Sequence, residues 1–408
     1  MTTARAGRWA PVIPCAAILL ALGSIVMVQP IFKNIGVTFG LEITAVRVSF
    51  STCSLAYAIA FFLLGPLTDR FNLTRLALGS ALGLGCSVTL CALAPSFSVF
   101  NLGIALLGGF AAGLVSSMFP YMTKIAPPGK AGSYLGLCLS ATVTGIILGR
   151  TVIGILTGLV GWRYAMASYS IPVYLLALVL VRLPALPVVG GARPSVVQQY
   201  TQAMSLLATP QIVRRYLAGF LLFFGYLGTL TFLTFYLVRP PFNLSVAQIG
   251  WLSLAGLGGA VVAPKAGAFA QAYGVSRVVR IGVLLAVASF AIMLVFRNTA
   301  AVTLGLLVLY AGVYVCQPAV FYDISRAIRP QQMGAASSLY LLACLSGGSL
   351  GSYALGPVWQ RWGWTGVMLA AGTATLGTLL LAATGEARAR PMSVGLEAAA
   401  SSARGRQA

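Results

Sequence analysis

Long apolar runs separated by short polar connections constrain the fold of this chain more than any other feature. Each run has about 20 residues, which at about 1.5 Å per helical residue crosses a hydrocarbon core of about 30 Å. Twelve such runs, named spans 1 to 12, lie at 10–32, 46–66, 76–94, 98–122, 133–158, 164–182, 215–238, 247–270, 278–296, 299–322, 334–358 and 364–383. Because each lipid-embedded segment must satisfy its own backbone hydrogen bonds, we predict an all-α membrane protein with twelve transmembrane helices.

The charges agree with a membrane protein and indicate its orientation. Only 8% of the residues are charged, and 26 are Lys or Arg against 5 Asp or Glu. On a soluble protein a net charge of +21 would suggest nucleic acid as partner, but here the basic residues stand between apolar runs and no nucleic-acid motif accompanies them. With both termini in the cytoplasm, 18 basic residues face that side and 6 face the other. Arg150 and Lys265 are assigned to neither side. We expect a multi-pass protein of a bacterial inner membrane in that orientation, in contact with anionic lipid.

The chain divides into two groups of six spans. We predict an N-terminal bundle at 1–182, a cytoplasmic linker at 183–214, a C-terminal bundle at 215–383 and a disordered basic cytoplasmic tail at 384–408. Arg5 and Arg8 before span 1 also resemble the start of a signal peptide. Since the corresponding span 7 is internal to the chain, we interpret span 1 as an uncleaved helix.

An internal repeat relates the two groups. Sliding the chain on itself by 202 residues aligns Gly65 with Gly267, Arg75 with Arg277, Pro128 with Pro330, Gly132 with Gly334, Gly145 with Gly347, Gly149 with Gly351, Gly154 with Gly356, and Gly161-Trp162 with Gly363-Trp364. An offset of 203 aligns Phe39-Gly40-Leu41 with Phe242-Asn243-Leu244. Two halves of like topology imply a pseudo-twofold axis along the membrane normal and a cavity between the halves, which is the architecture of a transporter.

The loop after span 2 makes a family resemblance specific. Its sequence is Gly65-Pro66-Leu67-Thr68-Asp69-Arg70-Phe71-Asn72-Leu73-Thr74-Arg75. It resembles the signature loop of the major facilitator superfamily, Gly-x-Leu-x-Asp-Arg-x-Gly-Arg-Arg, and the chain resembles most closely the twelve-helix bacterial efflux branch. The resemblance implies a gating latch at Gly65, Leu67, Asp69, Arg70 and Arg75, in which Asp69 and Arg70 hold the halves together on the cytoplasmic side. The match is incomplete at 72–74, and the charged pair at 69–70 could alternatively mark a solvated turn.

Span 5 combines regularly spaced glycines with a charge. Small residues at this spacing permit close approach of a neighbouring helix, so we expect helix packing at Gly145, Gly149, Gly154, Gly347 and Gly351. The stretch resembles the antiporter motif of the efflux branch, but Arg150 stands where that motif has proline.

Arg150 falls deep in the membrane and needs a partner, because an arginine in hydrocarbon costs at least about 2.5–3.5 kcal/mol. The five acidic residues, Glu42, Asp69, Asp323, Glu386 and Glu397, all lie outside the central membrane, and the chain has no histidine. Arg150 therefore either binds an anionic substrate group or is satisfied by helix carbonyls and water between the halves. Protons are a candidate coupling ion only through Asp69 or Asp323, and facilitated diffusion or exchange stays open.

Polar and aromatic side chains in other spans are candidates for lining the cavity. In the superfamily that the chain resembles, spans 1, 4, 7 and 10 line the path. With Arg150, the candidates are Gln29, Asn101, Tyr226, Tyr236, Tyr310, Tyr314 and Gln317. Interhelical hydrogen bonds or an interfacial position would equally account for each of them singly.

The sequence offers no machinery for catalysis or for ATP use. The seven cysteines form no CxxC pair, and neither a phosphate-binding Gly-x4-Gly-Lys-Ser/Thr loop nor a HExxH motif occurs. We therefore expect no enzyme, no cofactor and no metal, but a monomeric secondary active transporter with alternating access that exports a small organic compound, a drug or a metabolite. The alternatives are an importer or exchanger of organic anions or small metabolites that uses Arg150, and a channel.

Overall fold

The fold is a bundle of α-helices. A computed structural model describes residues 11–65, 68, 71–127, 131–184, 195–259, 266, 269–270, 272–328 and 332–383. Its helices in the first half are Val12–Val26 and Phe32–Phe39 for span 1, Ile43–Leu64, Leu73–Leu93, Phe97–Ile125, Ala131–Val160 and Trp162–Leu180. After a short linker helix, Val196–Leu206, the second half has Pro210–Leu237, Val246–Leu252 as the start of span 8, Val275–Val295, Thr299–Ala327 and Met333–Ala383.

These helices confirm the predicted all-α, twelve-span organisation. Ten helices in the described ranges are long and apolar enough to cross a membrane. The longest, Met333–Ala383, comprises both span 11 and span 12. Its backbone breaks between the two spans at Gly363, where φ is 57° and ψ is −146°. Span 8 is represented by the shorter apolar helix Val246–Gly259.

Span 1 extends further than the sequence predicts. The predicted end at residue 32 is wrong by seven residues, since the chain continues in helix to Phe39. The 3-10 turn Gln29–Ile31, with Pro30 as its middle residue, interrupts the regular α-helix but does not end the span. Proline lacks a backbone N–H, and this short 3-10 segment lets the chain continue past it.

The two halves are built from equivalent helix contacts. A Cβ atom added at any of four glycines would lie closer than 3.0 Å to backbone atoms of the neighbouring helix, so the backbones touch there. The pairs are Gly145 with Leu19, Gly149 with Gly23, Gly347 with Phe220, and Gly351 with Phe224. Span 5 therefore packs on span 1 as span 11 packs on span 7, at positions about one repeat apart.

The Gly-Trp pairs of the repeat form equivalent turns in the two halves, although their tryptophans have different hydrogen-bond partners. Gly161 has φ 83° and Gly363 has φ 57°, conformations that glycine adopts without strain and that turn the chain between consecutive spans. The indole Nε1 of Trp162 donates to Thr38 Oγ1 (2.8 Å), and that of Trp364 donates to the Met293 carbonyl (3.1 Å). The repeat inferred from sequence is thus present in backbone conformation as well as in residue type.

The two ends of the bundle can be told apart by the linker. We call the linker face the end where the Tyr200 hydroxyl of the linker helix donates to the Leu63 carbonyl and the Tyr121 hydroxyl donates to the Pro184 carbonyl (3.3 Å). The distal face is the opposite end, where Trp162 and Trp364 lie. Arg215 and Asp323, near the linker face, form the one ion pair seen between described residues.

Candidate functional site

Arg150 lies in the interior of the bundle, between the two halves. Its side chain is only 2% exposed. Nε donates a hydrogen bond to Ser253 Oγ of span 8 (3.4 Å), and Nη1 donates to Gln29 Oε1 of span 1. Arg150 therefore bonds directly to the opposite half only through Ser253, and to its own half through Gln29. Both partners are uncharged, and no described carboxylate neutralises the guanidinium.

The two acceptors belong to a larger buried network. Gln29 Nε2 donates to Thr231 Oγ1 (3.1 Å) across the interface between halves, and the Thr231 hydroxyl donates to the Leu227 carbonyl (3.0 Å). The Ser253 hydroxyl donates to the Ile249 carbonyl (3.1 Å). Gln29 and Thr231 are 202 residues apart, so this bond joins equivalent positions of the repeat at the pseudo-twofold axis.

A small cavity of about 10 Å³ adjoins the guanidinium. Arg150, Ser253 and Tyr310 give it polar groups, and its apolar walls are Leu230, Leu233, Leu237, Ile249, Leu252 and Leu306. This volume is enough for about one water molecule. Spans 5, 7, 8 and 10 all contribute, so the cavity is shared by both halves.

Three tyrosines form an aromatic cluster on the C-terminal side of this cavity. The rings of Tyr226 and Tyr310 meet edge to face with centroids 5.4 Å apart, and Tyr314 lies 6.2 Å from Tyr226. The hydroxyls of Tyr226 and Tyr314 are 3.4 Å apart. The Tyr310 hydroxyl is buried without a hydrogen-bond partner among the described residues.

Five of the predicted cavity residues are therefore brought together: Arg150, Gln29, Tyr226, Tyr310 and Tyr314. The other three lie elsewhere. Tyr236 stacks on Trp364 near the distal face, with ring centroids 4.4 Å apart. Asn101 is near the distal end of span 4, and the backbone carbonyl of Gln317 accepts from the Tyr340 hydroxyl (3.4 Å). In the described conformation side-chain oxygens accept the hydrogen bonds of Arg150, and whether it also binds an anionic substrate group stays a prediction.

The latch residues are described only in part. Gly65 ends span 2 and lies against Ser338 of span 11. Arg75 has an exposed side chain, and its backbone N–H donates to Asn72 Oδ1 (3.2 Å). Leu67, Asp69 and Arg70 lie outside the described residues, so the ionic latch stays a prediction.

Contacts between the halves are made by small residues. A Cβ at Gly154 would lie 2.9 Å from Gly250 Cα, and one at Gly158 would lie 2.9 Å from Ala247 Cβ, so span 5 touches span 8 towards the distal face. In the equivalent contact of span 2 with span 11, the Ser51 hydroxyl donates to the Ser349 carbonyl (3.1 Å) and the Ser349 hydroxyl to the Ser51 carbonyl (2.9 Å).

Sequence reasoning missed Ser253 and Thr231, which bind Arg150 and Gln29. The repeat contained a signal for both. Ser253 is the 202-residue equivalent of Ser51, and Thr231 is that of Gln29, so a polar residue recurs at each of these positions. Within the described ranges, no group of three or more His, Cys, Asp or Glu side chains is placed to hold a metal ion.

Comparison with known proteins agrees with this architecture. The sequence profile of the Major Facilitator Superfamily matches residues 15–352. The chain is 32% identical to the putative transporter YgaY of Escherichia coli (strain K12) over 368 residues, which cover 89% of this chain and 92% of YgaY. It is 24% identical to the MFS-type transporter YybF of Bacillus subtilis (strain 168), with 84% of each chain covered.

Solved structures show the same fold at low sequence identity. The nucleoside transporter NupG superimposes with a TM-score of 0.73 at 14% identity, covering 92% of this chain and all of that one. A bacterial homologue of the human lysosomal transporter Spinster, in an inward-facing conformation, gives 0.69 at 15% identity over 93% of this chain and 95% of its own. The profile match over most of the chain confirms the resemblance found at the loop after span 2: the protein is a membrane transporter of the major facilitator superfamily.

Proposed function

We propose that this transporter is a secondary active exporter that moves a small organic compound across a bacterial inner membrane by alternating access. The observation that carries the proposal is the buried Arg150, which donates one hydrogen bond to Ser253 of the opposite half and one to Gln29 of its own half, both neutral side chains. Hydrogen bonds of a charged group to neutral partners contribute about 1.5–3 kcal/mol each, so the single bond across the interface can be exchanged for a bond to substrate.

The contacts of the distal face support movement of one half against the other. Span 5 meets span 8 at Gly154, Gly158 and Ala247, where small residues let the two helices approach closely. In the described conformation the space beside Arg150 is only about 10 Å³, which is too small for an organic molecule or a continuous water-filled pore. Access by separation of the halves is therefore favoured over a channel.

Orientation and coupling belong to the same proposal. The excess of Lys and Arg on the side of the termini supports termini in the cytoplasm. Among the described acidic residues, the candidate for proton coupling is Asp323, which pairs with Arg215 near the linker face. Protons are the coupling ion we would test first. The protein acts as a monomer embedded in lipid.

Membrane vesicles of both orientations test the function and its direction. Everted and right-side-out vesicles from cells producing the protein are incubated with a mixture of small metabolites and drugs, and the lumen is analysed by mass spectrometry. We expect at least one compound to accumulate in everted vesicles above the level in vesicles from cells lacking the protein. Accumulation only in right-side-out vesicles would instead establish an importer.

A cross-link at the distal face separates alternating access from a channel. In a background without native cysteines, the two new side chains of the Gly158→Cys/Ala247→Cys variant would start from a Cβ separation near 2.9 Å, which a small shift brings to the roughly 3.8 Å of a disulfide. Oxidation should abolish accumulation and reduction should restore it, while each single variant responds to neither treatment. Transport that persists in the cross-linked protein would contradict alternating access at this face.

A further inference from the structure

We propose that Arg150 and Tyr310 form the binding site for the carboxylate of a small organic anion with an apolar body. This inference rests on the transporter function proposed above and specifies its substrate class. It is drawn from four features of the cavity between the halves: the unused donors of Arg150, the unpartnered hydroxyl of Tyr310, the uncompensated charge and the apolar walls.

Arg150 has more donors than its protein partners use. A guanidinium carries five N–H groups in a planar fork, and the described partners of Arg150 accept from Nε and from Nη1. Nη2 makes no hydrogen bond to a described residue, and the arginine lines the cavity. The free edge of the fork is the part that can bind an acceptor oxygen.

Tyr310 supplies a second donor at the same cavity. Its side chain is 1% exposed, it lines the cavity with Arg150, and its hydroxyl has no hydrogen-bond partner among the described residues. Buried hydroxyls are usually hydrogen-bonded, so the hydroxyl of Tyr310 is available to a ligand that enters the cavity it shares with Arg150. A carboxylate fits both groups, because one oxygen can accept from Arg150 Nη2 and the other from the Tyr310 hydroxyl.

The charge at this position also favours an anion. No described carboxylate accepts a hydrogen bond from Arg150, and Ser253 and Gln29 are neutral. The charge of the guanidinium therefore has no compensating acid among the described residues, in a site closed to bulk water where its attraction for an anion is stronger than at the surface. A neutral or cationic substrate would leave that charge uncompensated or would be repelled by it.

The apolar walls of the cavity indicate the chemistry of the rest of the substrate. Leu230, Leu233 and Leu306 line the cavity, and the aromatic rings of Tyr226 and Tyr314 pack against Tyr310. Such a surface binds hydrocarbon or an aromatic ring, whereas a phosphate or a sugar would leave hydroxyl and oxyanion groups unpaired against leucine. The present volume admits about one water, so the organic body enters when span 8 separates from span 5 and the 3.4 Å bond to Ser253 opens.

The test compares matched probes on the purified protein. Benzoate, phenylacetate and hexanoate are each paired with the corresponding neutral amide, with sodium chloride and inorganic phosphate as inorganic controls. Binding is measured as thermal stabilisation and by calorimetry at millimolar concentration. We expect at least one carboxylate to bind at least about tenfold more tightly than its amide, the ratio expected for a hydrogen-bonded charge pair.

Three variants assign that binding to Arg150 and Tyr310, and a fourth is the matched control. Arg150→Gln should lose carboxylate binding, and Arg150→Lys should weaken it about tenfold or more, since an ammonium lacks the planar fork. Tyr310→Phe keeps the ring and the fold, and should weaken binding about three- to tenfold by removing one hydrogen bond. Arg361→Gln removes the same charge from an exposed site and should bind as the wild type does.

The inference is overturned by several results. These are equal binding of a carboxylate and its amide, wild-type carboxylate binding by Arg150→Gln, binding of chloride or phosphate as tight as that of any organic probe, and no stabilisation by any carboxylate. The vesicle experiment separates this failure from failure of the proposed function. If a compound accumulates in wild-type and Arg150→Gln vesicles alike, transport stands and the anion site is wrong; if nothing accumulates in either vesicle orientation, the transport proposal itself fails.

Discussion

Replacing Gly149 by alanine should destabilise the protein through one defined steric overlap. In span 5, Gly149 lies against the backbone of span 1, and an added Cβ would come within 2.6 Å of the Gly23 carbonyl carbon. Real Cβ atoms essentially never approach that closely, and a backbone atom cannot rotate away as a side-chain end can. The two helices must therefore separate, which weakens the packing on either side of the contact.

The expected magnitude comes from two opposing effects. Overpacking of this kind costs about 1–3 kcal/mol of unfolding free energy. Alanine within a helix, on the other hand, stabilises by about 0.5–1 kcal/mol relative to glycine. Gly136→Ala provides the matched control, because Gly136 lies on the same helix and its added Cβ would meet nothing within 4 Å. The difference between the two variants isolates the steric cost, which we expect to be about 1–3 kcal/mol.

The assay is unfolding of the purified protein by sodium dodecyl sulfate in lipid micelles, followed by tryptophan fluorescence. Gly136→Ala should match or exceed the stability of the wild type, and Gly149→Ala should unfold at lower detergent fraction. Gly351→Ala, at the equivalent contact with Phe224, should behave like Gly149→Ala because the repeat places it against the same kind of backbone surface. If Gly149→Ala and Gly136→Ala differ by less than about 0.5 kcal/mol, the helix contacts that define each half are wrong.

Two further predictions concern the turns and the ion pair. Gly161→Ala and Gly363→Ala should each lower the unfolding free energy by about 1–3 kcal/mol relative to Gly136→Ala, because their positive φ strains any side chain while nothing lies within 4 Å to clash; equal stability in the same unfolding assay would refute this. A double-mutant cycle with Arg215→Gln and Asp323→Asn should give a coupling of about 0.5–1 kcal/mol, since the side chains are 16% and 31% exposed, and coupling that grows with added salt would contradict an ion pair.

The fold was predictable because the constraints on it are local. The lengths of the hydrophobic runs fix the number of membrane-spanning helices. The Gly-Trp pairs at 161 and 363 mark equivalent turns, because each glycine adopts the positive φ that the turn requires. The helix ends were less predictable. Span 1 runs on to Phe39 through a 3-10 turn, since in a membrane neighbouring helices can satisfy the groups that a proline such as Pro30 frees.

The site was predictable in its charge but not in its partners. A lone arginine deep in an apolar span identifies Arg150 from sequence alone, because the cost of burial demands an explanation. Which group of the opposite half accepts its hydrogen bond depends on how span 8 lies against span 5, and that follows from packing at Gly154 and Gly250 rather than from any local pattern. Tyr236 was predicted to line the cavity because it is an aromatic residue on span 7, but its ring stacks on Trp364 near the distal face instead.

Movement of the two halves against each other at the distal face is the central claim, and a distance measurement tests it directly. Spin labels at Val37→Cys and Arg297→Cys, both exposed at that face in opposite halves, are attached in a background without native cysteines. Pulsed electron–electron double resonance in liposomes should give two populations of label-to-label distance. The population with the longer distance should vanish when Gly158→Cys and Ala247→Cys are also introduced and cross-linked. A single distance that the cross-link leaves unchanged, in protein that still transports in the same liposomes, would contradict the account.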